Sequence, residues 1–298
     1  MIGLERLKIL VDIIESNIPC KIDFATQTNA TLLSPELLDF FAEKRIKIGV
    51  SIDGPKAIND THRRYRNGRG SFNRAMKGID LVKSKPKWAK LLGGYLAVID
   101  LNNSPSEVFH FLNSLGARGF DVLLPDCNHA APPERPDNDF QGVAYGKWMA
   151  DFFDMWVNAN SDVEVRYFEE IIAMIFGKTS SMEAIGAQSV DLIVVEANGD
   201  IEAVDTLKMV NREATSLDLN VHHNSFEEAV NHPAIYSRLM GYSTLCAECQ
   251  SCPILNQCGG GYLPHRYSEE LGFQNPSVYC NDIKFLVSHI ARKLETVV

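Results

Sequence analysis

Short strand-like runs alternate with longer segments of helical spacing through the first half of the chain. The runs predict four β-strands, at residues 21–27, 47–53, 93–100 and 120–125. Ser34 followed by Pro35 is typical of a helix start, because serine caps free backbone N–H groups and proline suits the first turn. Strands separated by helices of ten or more residues favour parallel β/α units.

The second half contains a β-hairpin pattern at residues 190–207, with Asn198 and Gly199 as a two-residue turn. Glu202 and Asp205 follow this turn. Because their separation is odd, the alternation of a strand predicts that the two carboxylates face opposite sides. One of them could then face a pocket while the other meets solvent.

Composition limits the classes of function. The chain has 298 residues, of which 45% are hydrophobic, enough for a sizeable core in one large domain or two ordinary ones. Its net charge of -9 and pI near 5.4 argue against a nucleic-acid surface or an anionic membrane as a partner. No apolar run has the length of a membrane span, and polar residues interrupt the amphipathic start, unlike a signal peptide. We therefore expect a cytoplasmic protein with reduced thiols.

Polar residues follow the predicted strands, where (β/α) barrels place their chemistry. They are Gln27, Thr28, Asn29, Ser51, Asp53, Asp100, Asn102 and Asp126. Turn formers and helix caps use the same residue types. The pattern therefore leaves open both a polar site and a set of ordinary turns.

Five of the seven cysteines lie between Cys246 and Cys280. Cys-x-x-Cys spacing lets one tight turn present two thiolates to a single centre, and later cysteines complete the ligand set. Gly259–Gly261 would let the backbone bend sharply beside such a centre. Ordinary buried cysteine or a disulfide, a structural zinc site and an iron–sulfur cluster all remain open, because zinc and iron–sulfur centres both accept four thiolates. The five are Cys246, Cys249, Cys252, Cys258 and Cys280.

Two cysteines lie outside this segment. Cys127 accompanies His129 in the proline-rich stretch 126–139, and two such residues are a weak indication of a metal, so we expect an unliganded thiol. Cys20 lies beside Pro19 just before the first strand, and we predict that it is buried in the core.

Several stretches resemble radical S-adenosylmethionine (radical SAM) enzymes with a C-terminal SPASM domain. They are QTNATLL at 27–33, VSIDGP at 50–55, Asn59-Asp60-x-x-Arg63, GRGSFNRAMKGI at 68–79, and CxxCPxxxxCGGG at 249–261 with Cys280. Together they cover almost the whole chain. Three further stretches are most similar to FxS-type maturases, which make cyclophane crosslinks in ribosomally synthesised peptides. These are GDIEAVDTLK at 199–208, CGGGYLPHRY at 258–267 and GFQNPSVYC at 272–280.

The resemblance implies an α/β fold with two domains. Residues 1–178 would form an incomplete radical SAM partial (β/α) barrel, and residues 179–298 a small α+β SPASM-type iron–sulfur domain. It also implies a precursor peptide as substrate and an electron donor such as flavodoxin or ferredoxin. No nucleic-acid or membrane partner is implied.

The resemblance further implies roles for individual residues. Ser51, Asp53 and Arg63 match positions near the SAM ribose and carboxylate, although Arg63 also suits a surface arginine in the basic run HRRYR. Asp205 aligns with the carboxylate that acts as the base in sulfatase maturases, although a turn or cap residue would look the same. Four cysteines would bind an auxiliary [4Fe–4S] cluster: Cys249, Cys252, Cys258 and Cys280.

The chain also departs from the family pattern. It contains neither the Cys-x-x-x-Cys-x-x-Cys motif that binds the SAM-cleaving cluster nor the Gly-Gly-Glu-Pro strand end. SAM and a second [4Fe–4S] cluster are therefore expected only with a preceding segment, and we expect a truncation, a misplaced start or a remnant without radical chemistry. Val204 and Tyr262 stand where two ligands of a further auxiliary cluster would lie. The alternative function is an inactive iron–sulfur or zinc-binding scaffold for a peptide.

Overall fold

The computed structural model describes residues 3–139, 141–159, 162–186, 192–211, 213–235 and 241–295. The chain forms two compact units. The first comprises Met1–Leu123 with Ala159–Arg166, and the second comprises Leu124–Asn158 with Tyr167–Val298. The chain thus passes from the first unit to the second and back again before residue 167. The domain boundary expected at residues 178 and 179 stays a prediction.

The first unit contains a four-stranded parallel sheet, and all four predicted strands are present. In order across the sheet they are β1 (Ala25–Thr28), β2 (Lys47–Ser51), β3 (Leu92–Val98) and β4 (Phe120–Leu123). Every neighbouring pair is parallel. Ile48 and Val50 of β2 are fully buried, as expected for a central strand of a parallel sheet.

Helices connect these strands. Those of the first unit are α1 (Leu4–Asn17), α2 (Pro35–Lys44), α3 (Lys56–His62), α4 (Phe72–Lys83), α5 (Pro86–Ala89) and α6 (Pro105–Ser114). α2 begins as predicted, because Ser34 Oγ accepts a hydrogen bond from the Leu37 backbone N at 3.3 Å. α4 approaches the loop after β1 so closely that a Cβ at Gly78 would lie 2.0 Å from the Ala30 carbonyl oxygen. Only glycine fits at that contact.

The second unit is mainly helical. Its described helices are α7 (Ala144–Asn158), α8 (Arg166–Ile175), α9 (Phe226–Val230), α10 (Ala247–Gln250), α11 (Leu255–Cys258) and α12 (Cys280–Glu295). The first residue of α8 belongs to the first unit. α7 packs along α12, and its aromatic residues Trp148, Phe152 and Phe153 are buried. Short 3-10 helices lie at Pro136–Asn138, Asp205–Met209, Gly241–Thr244 and Leu263–Arg266.

A small antiparallel sheet consists of β5 (Val194–Val195), β6 (Asp200–Glu202) and β7 (Ser216–Asn220). The predicted hairpin joins β5 and β6, but its loop has three residues rather than two. Glu196 N donates to the Asp200 carbonyl at 2.9 Å, and Gly199 has a φ of 89°, which suits a three-residue loop. The predicted start of the hairpin, residues 190 and 191, lies outside the described residues. An apolar core packs on this sheet: Ile201, Ala203, Val204, Leu207, Leu217, Ala229 and Ile235.

The prediction that Cys20 is buried in the core is wrong, because its side chain is exposed. It lies in the irregular segment between α1 and β1, and β1 begins five residues later at Ala25. Among the helices that the structure describes, none combines the length and apolarity of a membrane span.

A buried ion pair fixes the irregular segment that precedes α7. The side chains of Arg135 and Asp282 are 2% and 0% exposed, and their charged ends pair directly. Asp282 Oδ1 also accepts from the Gly146 backbone N at 2.8 Å, and Arg135 Nη1 donates to the Gly142 carbonyl at 3.0 Å. Each charge is thus hydrogen-bonded, as a buried ion pair needs to be to offset its lost hydration.

Removing one partner of this pair should destabilise the second unit strongly. We expect Asp282→Asn to lower the free energy of unfolding by about 3–5 kcal/mol, because the Arg135 charge is left buried without compensation. Urea unfolding followed by circular dichroism measures the loss. Glu196→Gln, which breaks the solvent-screened pair with Lys208, is the control and should leave the urea midpoint almost unchanged. Equal losses in the two variants would contradict a special role for the buried pair.

Candidate functional site

The cysteine-rich segment folds into two short helices and a loop that bring its thiols together. Cys249 lies in α10 and Cys258 ends α11, while Cys280 is the first residue of α12. Cys252 N donates to the Cys249 carbonyl at 3.1 Å, which is the tight turn that Cys-x-x-Cys predicts. Cys249 and Cys258 are buried, and Cys246, Cys252 and Cys280 are partly exposed.

These thiols influence one another's ionisation. Burial raises the pKa of Cys249 to about 12, and a hydrogen bond with Cys246 and the charges of Cys258 and Cys280 add to the rise. Burial also raises the pKa of Cys258 to about 12, with further contributions from Cys280 and Cys252. Each of the five thiols is therefore within electrostatic reach of at least one other. Ionising Cys249 and Cys258 together is therefore unfavourable without bound positive charge.

The donor set limits which centres these residues fit. Within the described ranges, no three His, Cys, Asp or Glu side chains converge closely enough to hold a single metal ion. The residues that do come near one another here are thiols, and four thiolates are the set that a [4Fe–4S] cluster takes, one for each iron. Cys249, Cys252, Cys258 and Cys280 therefore fit an auxiliary cluster by their chemistry.

The outer side of this group is accessible. A cavity of about 420 Å³ is lined by Cys280 together with His129, Gln141 and Glu248. Lys284, one helical turn further along α12, lies near the same thiol, because the negative charge of Cys280 raises the pKa of Lys284. The Cys280 thiol can thus be approached through this cavity.

Three consecutive glycines turn the chain away from Cys258. Gly259, Gly260 and Gly261 have φ values of 62°, 81° and 67°, a region that residues with a Cβ rarely adopt. A Cβ at Gly260 would also lie 2.6 Å from Leu245 Cδ2. The sharp bend expected from the sequence is therefore present, and it needs glycine both for backbone conformation and for space.

The two positions where a further auxiliary cluster would need ligands carry other chemistry. Val204 belongs to the apolar core of the small sheet, and Tyr262 Oη contacts the Thr206 hydroxyl. An alkyl side chain has no donor atom for iron, and the phenol is already engaged. These residues do not fit a second auxiliary cluster.

Asp205 opens the 3-10 helix Asp205–Met209 just after β6 and is exposed. Glu202 is half-buried and pairs with Lys208 Nζ at 2.9 Å. Desolvation and then the negative charge of Asp205 raise the pKa of Asp126. Asp205 is therefore a solvent-facing carboxylate, with Asp126 within electrostatic reach.

In the first unit, the predicted SAM-binding residues lie at and just beyond the carboxyl end of β2. Ser51 Oγ accepts a hydrogen bond from Gln27 Nε2 at 2.9 Å. Asp53 is 7% exposed and accepts from Arg63 Nε and Nη2 at 2.6 and 2.7 Å. The Val98 backbone N donates to the same carboxylate at 3.0 Å. The structure thus brings Asp53 and Arg63 together as a bidentate pair, while Ser51 has a different partner.

A cavity of about 450 Å³ lies against the same sheet, and Ser51, Asp53 and Arg63 do not line it. Its wall includes the strand residue Gly49 and also Asp121. A Cβ at position 49 would lie 2.0 Å from the side-chain oxygen of the neighbouring glutamine in β1. Glycine in β2 therefore makes room for a polar side chain at this surface.

Among known proteins, no family model matches the chain. A serine-type anaerobic sulfatase-maturating enzyme of Bacteroides thetaiotaomicron is 25% identical over 266 residues, which are 83% of this chain and 62% of that protein. The chain therefore spans less than two thirds of the length of this relative.

Solved structures match more completely. anSMEcpe with bound AdoMet and Cp18Cys peptide gives a TM-score of 0.81 at 22% identity, covering 99% of this chain and 81% of that one. Streptococcus suis SuiB gives a TM-score of 0.57 at 15% identity, covering 93% and 62%. This chain has the fold of these maturases. The predicted α/β class, a partial barrel followed by a SPASM domain, is confirmed, and a radical SAM family with a SPASM domain fits these matches.

The glycine loop offers a direct test of the site's architecture. We expect Gly260→Ala to lower the free energy of unfolding by about 2–5 kcal/mol, because positive φ costs about 1–2 kcal/mol and overpacking against Leu245 about 1–3 kcal/mol. Gly272→Ala is the matched control, since Gly272 has a φ of 56° but open space around its Cβ. In chemical denaturation, Gly272→Ala should show only the cost of the positive φ. Equal losses at the two positions would mean that space at Gly260 is not limiting.

Proposed function

We propose that this chain is the part of a radical SAM/SPASM peptide maturase that carries the auxiliary cluster. The complete enzyme would install carbon–carbon cyclophane crosslinks in a ribosomally made precursor peptide. The observation that carries the proposal is the proximity of four thiols in the second unit: Cys249, Cys252, Cys258 and Cys280. The likeness to SuiB, solved bound to the precursor peptide SuiA, supports a peptide substrate. The stretches GDIEAVDTLK and GFQNPSVYC support the cyclophane-forming subtype.

The four thiols would hold an auxiliary [4Fe–4S] cluster, which when bound supplies an acceptor for an electron. Cys249 and Cys258 would bind it from the buried side, and Cys252 and Cys280 from the partly exposed side. Because Cys249, Cys258 and Cys280 have raised pKa values, loading iron must release protons and is favoured as pH rises.

Asp205 is the proposed general base. Crosslinking joins a peptide Cβ to an aromatic ring, and the peptide gives up a hydrogen atom, an electron and a proton overall. The exposed carboxylate of Asp205 can receive that proton from a peptide that lies on this surface. A positioned general base contributes about 10²–10⁴-fold to a rate.

Ser51, Asp53 and Arg63 are proposed to contact SAM in the complete enzyme. Ser51 accepts from Gln27, so its own hydroxyl proton remains a donor. Asp53 engages Nε and Nη2 of Arg63, which leaves Nη1 as the guanidinium nitrogen for a carboxylate. The solved structure of anSMEcpe with bound AdoMet supports a SAM site in a protein of this fold.

Two other functions have specific support. The Bacteroides thetaiotaomicron relative matures a sulfatase by its name, which favours a sulfatase-derived peptide as the substrate. The group of cysteines would also suit a peptide-binding scaffold that holds iron–sulfur or zinc without radical chemistry. For either maturase, a flavodoxin or ferredoxin is the proposed electron donor.

Anaerobic purification and reconstitution test the cluster. We expect about four iron atoms per chain and broad absorption in the visible range, as one [4Fe–4S] cluster gives. Cys258→Ala should lose most of both signals, because it removes a ligand, whereas the control Cys127→Ala should keep them. A colourless protein that binds zinc would contradict the cluster. About eight iron atoms per chain would contradict the reading of Val204 and Tyr262 as lost ligands.

The base is tested in a chain that also carries a Cys-x-x-x-Cys-x-x-Cys segment ahead of residue 1. Asp205→Asn should lower the yield of crosslinked precursor peptide by about 10²-fold or more while 5′-deoxyadenosine formation stays within about twofold. Mass spectrometry and chromatography measure the two products. Glu227→Gln, a change at an exposed position of α9, is the control and should leave both unchanged. Undiminished crosslinking in Asp205→Asn would exclude it as the base, and modification of a sulfatase peptide alone would favour the sulfatase function.

A further inference from the structure

A buried arginine lies directly behind the glycine loop of the cysteine site. Arg266 ends the 3-10 helix Leu263–Arg266 and is 9% exposed. Its Nε donates to the Gly260 carbonyl at 2.9 Å, and its Nη2 donates to the carbonyls of Gly259 and Gly261 at 3.1 and 2.7 Å. The guanidinium therefore hydrogen-bonds every carbonyl of the loop that follows Cys258.

Among the described residues, no carboxylate balances the charge of this arginine. In the part of the chain that the structure describes, no Asp or Glu forms an ion pair with Arg266, whereas the buried Arg135 pairs with Asp282. A buried charge without an opposite charge is costly, and carbonyl hydrogen bonds alone leave it unneutralised. An anion belongs beside Arg266.

The groups able to supply that anion are the thiols of the candidate site. Burial lowers the pKa of Arg266, and the negative charges of Cys258, Cys249 and Cys246 act in the opposite direction. The adjacent His265 supplies no negative charge. Its burial and then Arg266 lower the pKa of His265 to about 4, so it is neutral at pH 7.

We propose that Arg266 is a positioning residue that places a buried positive charge beside the thiolate-bound cluster and holds the Gly259–Gly261 loop that follows Cys258. A cluster with four thiolates gains one further negative charge on reduction. A fixed cation beside it stabilises the reduced state more than the oxidised state, and therefore raises the reduction potential. This inference rests on the proposed auxiliary cluster.

Two substitutions separate the charge of Arg266 from its hydrogen-bonding geometry. Arg266→Lys keeps the positive charge but loses the planar fork, and Arg266→Gln keeps a donor but loses the charge. The control is Arg292→Gln, which removes an exposed arginine whose Nε donates to the Ser288 carbonyl within α12. Each variant is purified anaerobically and reconstituted, its iron is counted, and its cluster is titrated with reductant and followed by electron paramagnetic resonance.

We expect Arg266→Gln to shift the one-electron reduction equilibrium at least about tenfold toward the oxidised cluster, a midpoint about 59 mV lower. Arg266→Lys should lie much closer to the unsubstituted protein, and Arg292→Gln should match it. If Arg266→Gln loses its iron while Arg266→Lys keeps it, the charge is again what the site needs.

Other outcomes overturn the proposal. An unchanged potential in Arg266→Gln, with iron retained, would show that the positive charge does not act on the cluster. Loss of iron in both variants would show that the fork geometry alone matters. A protein that holds no iron–sulfur cluster before any substitution would instead overturn the proposed function itself, which the iron count reveals before any potential is measured.

Discussion

Thiols crowded into one small region cannot ionise together unless positive charge is bound among them. The fold creates this condition by setting Cys249 and Cys258 in short helices and Cys280 at the start of a long one. Burial, and then the charges of neighbouring thiols, raise the pKa values of Cys249 and Cys258 to about 12. Iron inside the group and a guanidinium behind it would offset that repulsion from two sides.

The two buried arginines of the second unit show different solutions to one electrostatic problem. Arg135 has a carboxylate partner in Asp282, and that pair joins the irregular segment before α7 to the start of α12. Arg266 donates to three backbone carbonyls of the glycine loop, and among the described residues no Asp or Glu forms an ion pair with it. The first arrangement is complete within the polypeptide, whereas the second is complete only when its neighbours become anionic. The absence of a carboxylate beside Arg266 among the described residues therefore favours the proposed anionic group there.

Local patterns in the sequence were sufficient to predict much of the fold. The four parallel strands, the Ser34 cap and the glycine turn of the hairpin follow from residues close together in the chain. The length of the hairpin loop was predicted one residue short. The last pair of hydrogen-bonded residues depends on strand pairing as well as on the turn, and the turn residues alone do not determine it. The burial of Cys20 was predicted wrongly, because an apolar strand pattern does not fix the residue at which the strand begins. β1 begins at Ala25, and Cys20 lies outside it.

The candidate site was less predictable, because its less obvious parts depend on contacts across long stretches of chain. Cysteine spacing identified the thiols and the glycine bend, but nothing in the local sequence distinguishes Arg266 from a surface arginine. Its role emerges only when its burial and its three loop carbonyls are seen together. The Arg135–Asp282 pair was missed for the same reason, since its members are 147 positions apart.

An apolar core around Val204, Leu207 and Leu217 packs on the antiparallel sheet of the second unit. If a cysteine ligand stood at position 204, the fold of this sheet would depend on bound metal. Backbone pairing and apolar packing hold that sheet, and none of the cysteines belongs to its core. Loss of the proposed cluster should therefore leave this antiparallel sheet and its apolar core folded.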